Sequence, residues 1–254
     1  SLEAGGKRLR PLLVFQTVEA FGKEVTEGVL ACGAALEMLH TYSLIHDDLP
    51  AMDNDDLRRG VPTNHKVFGE ALGILAGDGL LTAAFTLLAE SNNPPEVKVK
   101  LLQLLGEKAG NTGMIAGQTL DILSEGKEIS LGELKEIHRL KTGELLSFSF
   151  MAGGILAKKN EETLLLLEKI GEKFGLGFQI RDDLLDVLGN TKTLGKNTQQ
   201  DALLKKATYP GLLGIDGAKE ALRETVNEVK NLMAQLDDFS TDYLVAALDK
   251  LEKI

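Results

Sequence analysis

The sequence contains few of the residues on which several protein classes depend. Its 254 residues include one cysteine, Cys32, six prolines and no tryptophan. A single cysteine cannot form an intrachain disulfide, so disulfide-rich secreted scaffolds are excluded and a reducing, cytoplasmic setting is expected. No uninterrupted apolar run reaches the length of about 18 residues that a membrane-spanning helix needs, so we expect no membrane span.

Basic residues are outnumbered by acidic ones. Lys and Arg together number 28 against 38 Asp and Glu, which gives a formal net charge of −10. This charge argues against a nucleic-acid partner and against binding to an anionic membrane surface. The hydrophobic content of 43% is typical of a globular protein, and the chain is long enough to bury a large core.

Apolar residues recur at helical spacing, and no segment alternates convincingly enough to predict a strand. Helices are predicted over residues 11–21, 26–48, 66–90, 96–124, 130–159, 160–188, 217–236 and 240–253. The polar segment 189–201 is predicted to be a loop. Because the connections are short, we expect one all-α domain over 1–254, a single large helical bundle. The chain begins on Ser1 rather than Met, so N-terminal residues are expected to be missing.

Two acidic clusters follow apolar helical runs, and each lies beside arginine. The first is IHDDLPAMDNDDLRRG at residues 45–60, and the second is QIRDDLLD at residues 179–186. Clusters of oxygen ligands suit hard cations such as Mg²⁺, which can bridge carboxylates to a diphosphate while arginine binds its oxygens. The alternative is that each cluster is a solvated acidic helix end. Two such clusters in one chain favour the metal site.

The geometry of a helix decides which acids can act together. In the second cluster, Asp182 and Asp186 share one helix face and Asp183 is offset by about 100°. In the first cluster, the ring of Pro50 should end the helix, and this break is needed for Asp53 to turn back toward its partners.

Basic residues with a possible role in binding phosphate occur outside the clusters. Lys7 and Arg10 lie in GGKRLRP before the first helix, where a solvated charge run is the alternative. Lys141 lies in an apolar helix, and Lys196 and Lys206 flank the polar loop; each has an ordinary surface or snorkelling role as its alternative. The four histidines show no metal-ligand spacing, and no P-loop, GxGxxG or GxSxG motif is present.

Several motifs resemble those of one enzyme family. HDDLPAMD and QIRDDLLD are similar to the first and second Asp-rich motifs of the short-chain trans-prenyl diphosphate synthases, and bacterial farnesyl diphosphate synthases are the nearest group. GGKRLRP, DLRRG, GQTLD, HRLKTGELL and the LGK…D…KATYP stretch also match motifs of the family, and all the motifs occur in the family's order. The resemblance implies an isoprenoid-synthase bundle around a deep central cavity. It also implies Mg²⁺-dependent condensation of isopentenyl diphosphate with dimethylallyl or geranyl diphosphate to give farnesyl diphosphate.

The resemblance also implies roles for individual residues. Mg²⁺, about three ions per site with substrate bound, is expected on Asp47, Asp48, Asp53, Asp182, Asp183 and Asp186. The allylic diphosphate is expected on Arg58, Lys141, Lys196 and Lys206, which with Thr142 and Gln179 beside the carbocation form the catalytic set. Isopentenyl diphosphate is expected on Lys7, Arg10, His40 and Arg59.

The length of the product depends on where the growing chain is blocked. Tyr42 and Ser43 precede the first cluster, and an aromatic residue at Tyr42 with the spacer LPAM resembles the farnesyl enzymes. Ordinary core packing is the alternative role for Tyr42. A C15 product is therefore favoured over C20, so that a geranylgeranyl diphosphate synthase is the nearest alternative.

The same resemblance raises two alternative functions and implies an oligomeric state. A terpene cyclase would share an Asp-rich motif but needs no homoallylic diphosphate site, so Lys7, Arg10 and Arg59 argue against it. A non-catalytic regulatory subunit would be expected to lack acids in one cluster, and both clusters are complete. The family habit implies a homodimer.

Overall fold

The computed structural model describes residues 1–188 and 206–253, which are mainly helical. The helices of the described residues are α1 Leu9–Ala20, α2 Glu27–Asp47, α3 Asn64–Phe68, α4 Glu70–Glu90, α5 Pro95–Ala109, α6 Met114–Ser124, α7 Leu131–His138, α8 Glu144–Leu156, α9 Glu161–Leu188, α10 Tyr209–Met233 and α11 Val245–Glu252. A π-helical turn, Arg139–Gly143, joins α7 to α8, and a short 3₁₀ helix, Thr241–Leu244, precedes α11. The prediction of an all-α fold is confirmed, and the single domain over 1–254 stays a prediction.

One pair of strands was missed by the sequence prediction. Leu57–Arg58 and Val61–Pro62 form a two-residue antiparallel hairpin in which Leu57 pairs with Pro62. The expectation that no strand occurs was therefore wrong. Two residues are too few to show an alternating pattern, and the turn between the strands has positive φ at Arg59 and Gly60.

Three of the predicted helices are divided in the structure. The third is broken at Gly69, whose φ of 89° is outside the helical range, and the fourth is interrupted between α5 and α6. The fifth contains the π-helical turn. The helix predicted from residue 217 is preceded by a short helical segment that starts at Tyr209, where the Thr208 hydroxyl accepts the N–H of Gly211. A kink at Gly214, whose φ is 72°, separates this segment from the rest of α10. The predicted loop 189–201 lies outside the described residues.

Helix α8 lies in the core of the bundle. Its residues Leu145, Leu146, Phe148 and Phe150 have no exposed surface, and the helix packs against α1 and α9. Gly171 of α9 lies so close to the backbone of α8 that a Cβ atom there would be 2.3 Å from the Cα of Ser147. This close approach fixes α9, and with it the second acidic cluster, against the centre of the protein.

Among the residues that the structure describes, two helices are long and apolar enough to cross a membrane by length and composition alone. In α2, 61% of the apolar window is buried inside the protein, as expected of a core helix. In α4 the buried share is only 22%, and the side chains of Leu72 and Leu75 are exposed. This apolar surface of α4 requires a partner or a reason for its exposure.

Candidate diphosphate and metal site

The first acidic cluster starts at the C-terminal end of α2 and turns back on itself. Helix α2 ends at Asp47, three residues before Pro50, as the sequence predicts. The N–H of Asp53 then donates a hydrogen bond of 2.9 Å to the backbone carbonyl of Asp47. Gln118 of α6 donates through Nε2 to Asp47 Oδ1 at 2.9 Å. The turn therefore brings Asp53 back beside Asp47.

Asp48, which follows Asp47 directly, is held by an arginine of the hairpin. Asp48 is buried, and Arg58 donates through Nε to its Oδ1 at 2.8 Å. Arg58 also contacts Asp55 at 2.9 Å. Asp48 thus fixes one of the cations that the resemblance assigns to the allylic diphosphate, in addition to any role at the metal.

Burial raises the pKa of both Asp47 and Asp48. Desolvation raises the pKa of Asp47 to about 6, with a further upward contribution from Asp53 and a downward one from Lys141. Desolvation also raises the pKa of Asp48 to about 6, although the hydrogen bond from Arg58 opposes it. Excess buried negative charge of this kind favours the binding of a cation.

In the metal-free protein, Asp47 should make the stability fall with rising pH. Its pKa is about 6 when folded against an ordinary 3.8, so between these values the folded chain binds more protons than the unfolded chain. The free energy of unfolding should therefore decrease as pH rises from 3.8 to about 6. Urea unfolding with a chelator present should show a flatter dependence for Asp47→Asn than for the wild type. Parallel curves for the two proteins would contradict this assignment.

The second acidic cluster lies on α9, and its members differ in their surroundings. Asp182 is partly exposed, whereas Asp183 and Asp186 are 5% and 4% exposed. The N–H of Tyr209, at the start of α10, donates to Asp183 Oδ2 at 2.9 Å. The predicted offset of Asp183 from its neighbours corresponds to this contact with another helix, and its role as a metal ligand stays a prediction.

Two predicted phosphate-binding lysines meet at one carboxylate. Lys141 donates to Asp121 Oδ2 at 2.7 Å, and Lys206 Nζ lies 3.3 Å from the same oxygen. Lys206 also donates to Asp53 Oδ1 at 2.9 Å. Burial alone would raise the pKa of Asp121, but the two lysines hold it below its ordinary value. Lys206 therefore joins the segment before α10 to the first acidic cluster.

Asp121 was missed as a site residue although it lies in the GQTLD motif. A single acid on an amphipathic helix gives no signal by itself, since its partners are distant in sequence. The predicted residue Lys196 lies outside the described residues.

The π-helical turn places Lys141 and Thr142 in the site. Thr142 Oγ1 donates to Oε1 of Gln179 on α9 at 2.8 Å, so this predicted pair is brought together. At Gly117 of α6 a Cβ atom would lie 2.1 Å from the backbone nitrogen of Lys141, so only glycine fits there. Turns of this kind occur frequently at functional sites. The wider turn changes the direction of these side chains relative to a regular α-helix.

Three of the residues predicted to bind isopentenyl diphosphate, Arg10, His40 and Arg59, form a separate basic group. Arg10 Nη1 lies 3.2 Å from His40 Nε2, and Arg59 donates to the carbonyl of Gly5 at 2.6 Å. Desolvation by burial lowers the pKa of Arg10 to about 10, and burial beside Arg10 lowers the pKa of His40. Lys7 lies 5.8 Å from the ring centroid of Phe178.

One acidic residue of this group was not predicted. Glu37 of α2 is buried, forms an ion pair with Arg8, and lies 3.4 Å from Arg59 Nη2. A carboxylate among several guanidinium groups reduces their mutual repulsion. An acidic residue among the apolar residues of α2 is a signal of a buried charge in the sequence. Its partners, however, lie on other elements and cannot be read from α2 alone.

The residues predicted to control chain length lie on α2, directly before the acids. Tyr42 is buried, and its ring contacts that of His46 edge to face at a centroid distance of 5.6 Å. Ser43 donates to the carbonyl of His40 at 2.9 Å. Burial and the nearby Asp47 raise the pKa of Tyr42. Tyr42 is therefore close to the first cluster, and its role in limiting the product stays a prediction.

A cavity of about 490 Å³, including its open mouth, lies beside the hairpin. Its lining includes Asp48, Arg58, Arg59, Val67 and Phe68 but no residue of the second acidic cluster. It is therefore not the deep central cavity that the resemblance implies, and that cavity stays a prediction.

The arrangement of the carboxylate oxygens determines how Mg²⁺ could be bound. Within residues 1–188 and 206–253, no three Asp, Glu, His or Cys side chains are grouped closely enough to hold a metal ion. Mg²⁺ is commonly bound by one or two carboxylates together with substrate phosphates and water rather than by a cage of protein ligands. Asp53 already binds a cation, the ammonium group of Lys206. These carboxylates therefore fit Mg²⁺ that is shared with a diphosphate.

An all-α bundle that brings acids together with lysines and arginines from several segments has the arrangement of an enzyme that binds diphosphates. Comparison with known proteins identifies the group. The family model described as polyprenyl synthetase matches residues 1–243. The chain belongs to this family, and the prediction that it is a trans-prenyltransferase is confirmed.

Individual relatives cover most of the chain. Farnesyl diphosphate synthase of Geobacillus stearothermophilus is 50% identical over 98% of this chain and 86% of its own length. The chloroplastic geranylgeranyl pyrophosphate synthase of Catharanthus roseus is 44% identical over 97% of this chain and 70% of its own length. The crystal structure of geranyltransferase from Helicobacter pylori complexed with magnesium and isoprenyl diphosphate has a TM-score of 0.87 and 36% identity, covering 98% of this chain and 83% of that one.

Proposed function

We propose that this enzyme condenses isopentenyl diphosphate with dimethylallyl or geranyl diphosphate and releases farnesyl diphosphate, with Mg²⁺ as its cofactor. The observation that carries the proposal is the convergence of Lys141 and Lys206 on Asp121 and Asp53. These residues come from four separate segments of the chain, and together they place two ammonium groups beside the first acidic cluster. A site with acids for a cation and lysines for phosphate oxygens suits a diphosphate leaving group.

The reaction begins with cleavage of the allylic carbon–oxygen bond. Bound Mg²⁺ would supply Lewis-acid stabilisation of the diphosphate, held by Asp47, Asp48, Asp53, Asp182 and Asp186. Lys141 and Lys206 donate to the same oxygens as negative charge develops on them, and Arg58, positioned by Asp48, does so from the hairpin. The hydroxyl of Thr142 and the amide of Gln179 provide dipoles near the cation that remains.

The second substrate must be held in register with the first. Arg10, His40 and Arg59, together with Lys7, are proposed to bind the diphosphate of isopentenyl diphosphate. Fixing the two substrates relative to each other supplies the entropic part of the catalysis. The double bond of isopentenyl diphosphate attacks the allylic carbon, and the released diphosphate accepts the proton that is lost. No protein nucleophile is required.

The direct experiment is to incubate purified protein with Mg²⁺, isopentenyl diphosphate and either allylic primer, and to identify the products by mass spectrometry. A C15 diphosphate is expected. A C20 diphosphate would overturn the product length, and a cyclised hydrocarbon would overturn the reaction class. Either prenyl product would also exclude the non-catalytic subunit. The half-buried Arg10–His40 pair favours a two-substrate enzyme over a cyclase.

Removing the side chain of Tyr42 is expected to lengthen the product. Tyr42 is buried directly before the first cluster, so Tyr42→Ala would open space for an additional isoprene unit next to the site. The product of the variant should shift from C15 toward C20, measured by chromatography of the dephosphorylated alcohols. Tyr42→Phe, which keeps the ring, should retain the C15 product. An unchanged product in Tyr42→Ala would mean that other residues limit chain length.

We propose that α4 forms the interface of a homodimer. Its long apolar surface is covered to only a small extent within the chain, and Leu72 and Leu75 are among its exposed residues. Covering such a surface with a second copy removes apolar area from water.

The enzyme is proposed to act in the cytoplasm, since one buried cysteine requires no oxidising compartment.

The dimer leads to a prediction about Leu75. Leu75→Glu places a charge on the exposed surface of α4 and should convert the protein from dimer to monomer in sedimentation velocity. Leu165→Glu on α9 is the matched control, because Leu165 is 51% exposed and Leu75 62% exposed. A monomeric wild type, or equal effects of the two substitutions, would contradict the proposed interface.

A further inference from the structure

Asp183 contacts two helices other than its own. It is 5% exposed, and its Oδ2 accepts the N–H of Tyr209 at 2.9 Å. His138 Nε2, at the end of α7, lies 3.5 Å from the same oxygen. The rings of His138 and Tyr209 stack with a centroid distance of 5.9 Å and an angle of 15°. Asp183 therefore belongs to a small buried cluster of residues from α7, α9 and α10.

Both contacting segments carry a lysine proposed to bind diphosphate. His138 is three residues before Lys141 in the sequence, and Tyr209 is three residues after Lys206. These two lysines share the carboxylate of Asp121 as their partner. Asp183 thus holds the two segments together next to the point where their lysines meet.

The contact with Tyr209 is one that the start of a helix needs. The first N–H groups of a helix have no partner within it, and a buried N–H without a partner costs about as much as a lost hydrogen bond. The carboxylate of Asp183 satisfies that donor. This hydrogen bond fixes the first turn of α10, and the short segment before it, against α9.

We propose that Asp183 is a positioning residue that holds Lys141 and Lys206 in place, and that it is not a ligand of Mg²⁺. This inference rests on the proposed function, in which these lysines bind the diphosphate. The proposal assigns different roles to two residues of the second acidic cluster. Asp182 acts toward the metal, and Asp183 organises the surrounding cations.

Two substitutions distinguish positioning from metal ligation. Asp183→Asn keeps an oxygen that accepts the N–H of Tyr209 but removes the charge. We expect its turnover to stay within about 10-fold of the wild type, with an unchanged Mg²⁺ concentration for half-maximal rate. Asp183→Ala removes the acceptor and should lower turnover by about 100-fold, again with no change in the Mg²⁺ requirement. Asp182→Asn is the metal-ligand control and should raise the Mg²⁺ requirement by at least about 10-fold.

A binding measurement decides the question without catalysis. Calorimetric titration with inorganic pyrophosphate and Mg²⁺ should give an affinity for Asp183→Asn within about 3-fold of the wild type, and a clear loss for Asp182→Asn. Equal losses in the two variants, or an equal rise in their Mg²⁺ requirement, would overturn the proposal. If the wild type binds pyrophosphate but forms no prenyl product, the proposed function fails while the titration still decides the role of Asp183.

A control for stability completes the test. Leu167 on α9 is fully buried and lies in the hydrophobic core, so Leu167→Ala should lower the unfolding temperature without moving the lysines. Asp183→Ala should weaken pyrophosphate binding by at least about 10-fold more than Leu167→Ala does, because only Asp183→Ala releases the lysine segments. Similar binding losses in the two variants would reduce Asp183 to a structural role and overturn the inference.

Discussion

Replacing Asp47 with Ala is expected to lower the turnover number by roughly 1,000-fold or more without unfolding the protein. Asp47 lies at the end of α2, where the turn brings Asp53 back beside it. Its carboxylate is proposed to hold the cation that stabilises the leaving diphosphate. Because burial raises its pKa to about 6, the charged side chain does not stabilise the metal-free fold at neutral pH. Turnover should therefore fall sharply while the unfolding temperature is kept or increased.

The first cluster contains its own control for this experiment. Asp56 is exposed and forms its ion pair with Lys66 at 2.7 Å, away from the lysines that meet at Asp121. Asp56→Ala should keep turnover within about 3-fold of the wild type. Steady-state rates and thermal unfolding of both variants provide the comparison. Full activity of Asp47→Ala would remove Asp47 from the site, and an equal loss in both variants would attribute the effect to net charge.

Replacing Arg10 with Met is expected to raise the KM for isopentenyl diphosphate by about 100-fold, with little change in the KM for the allylic substrate. Arg10 is half-buried at the start of α1, where it contacts His40. Burial lowers its pKa to about 10, so the guanidinium remains charged at neutral pH. A partly desolvated positive charge is stabilised when an anion approaches it, and the homoallylic diphosphate is proposed to be that anion.

The assignment depends on the difference between the two substrates. Initial rates measured with each substrate varied in turn give the two KM values separately. Arg223→Met is the matched control, since the side chain of Arg223 is 71% exposed on α10 and pairs with Glu220. Equal increases in both KM values for Arg10→Met would mean that Arg10 supports the whole site rather than the homoallylic diphosphate alone.

The sequence predicts those features that depend on local pattern. Helical spacing of apolar residues led to the all-α fold, and Pro50 correctly indicated the end of α2 near the first cluster. The chemistry of acids next to arginine indicated a site for Mg²⁺ and a diphosphate, and the resemblance of the motifs to those of prenyl diphosphate synthases indicated the class of enzyme. Thr142 and Gln179, which the resemblance placed beside the carbocation, are hydrogen-bonded to each other.

Features that depend on contacts between distant residues were not predicted. Asp121 and Glu37 are single acids on helices, and their partners lie on other elements. The π-helical turn has the composition of an ordinary helix, and it is fitted against Gly117 of α6, about twenty residues earlier in the sequence. The contact of Asp183 with Tyr209 likewise joins residues that are distant in the sequence, and it was not predicted. Its neighbours suggest a metal ligand, whereas its position places it against Tyr209.

The central claim is that the two acidic clusters act on one diphosphate. It is tested most directly by diffraction from crystals grown with Mn²⁺ in place of Mg²⁺ and with pyrophosphate, using the anomalous signal of the metal. The account predicts ions that touch the pyrophosphate and are bound by Asp47 and Asp53 on one side and by Asp182 on the other, with none bound by Asp183. Pyrophosphate bound away from both clusters, or ions held by only one of them, would contradict it.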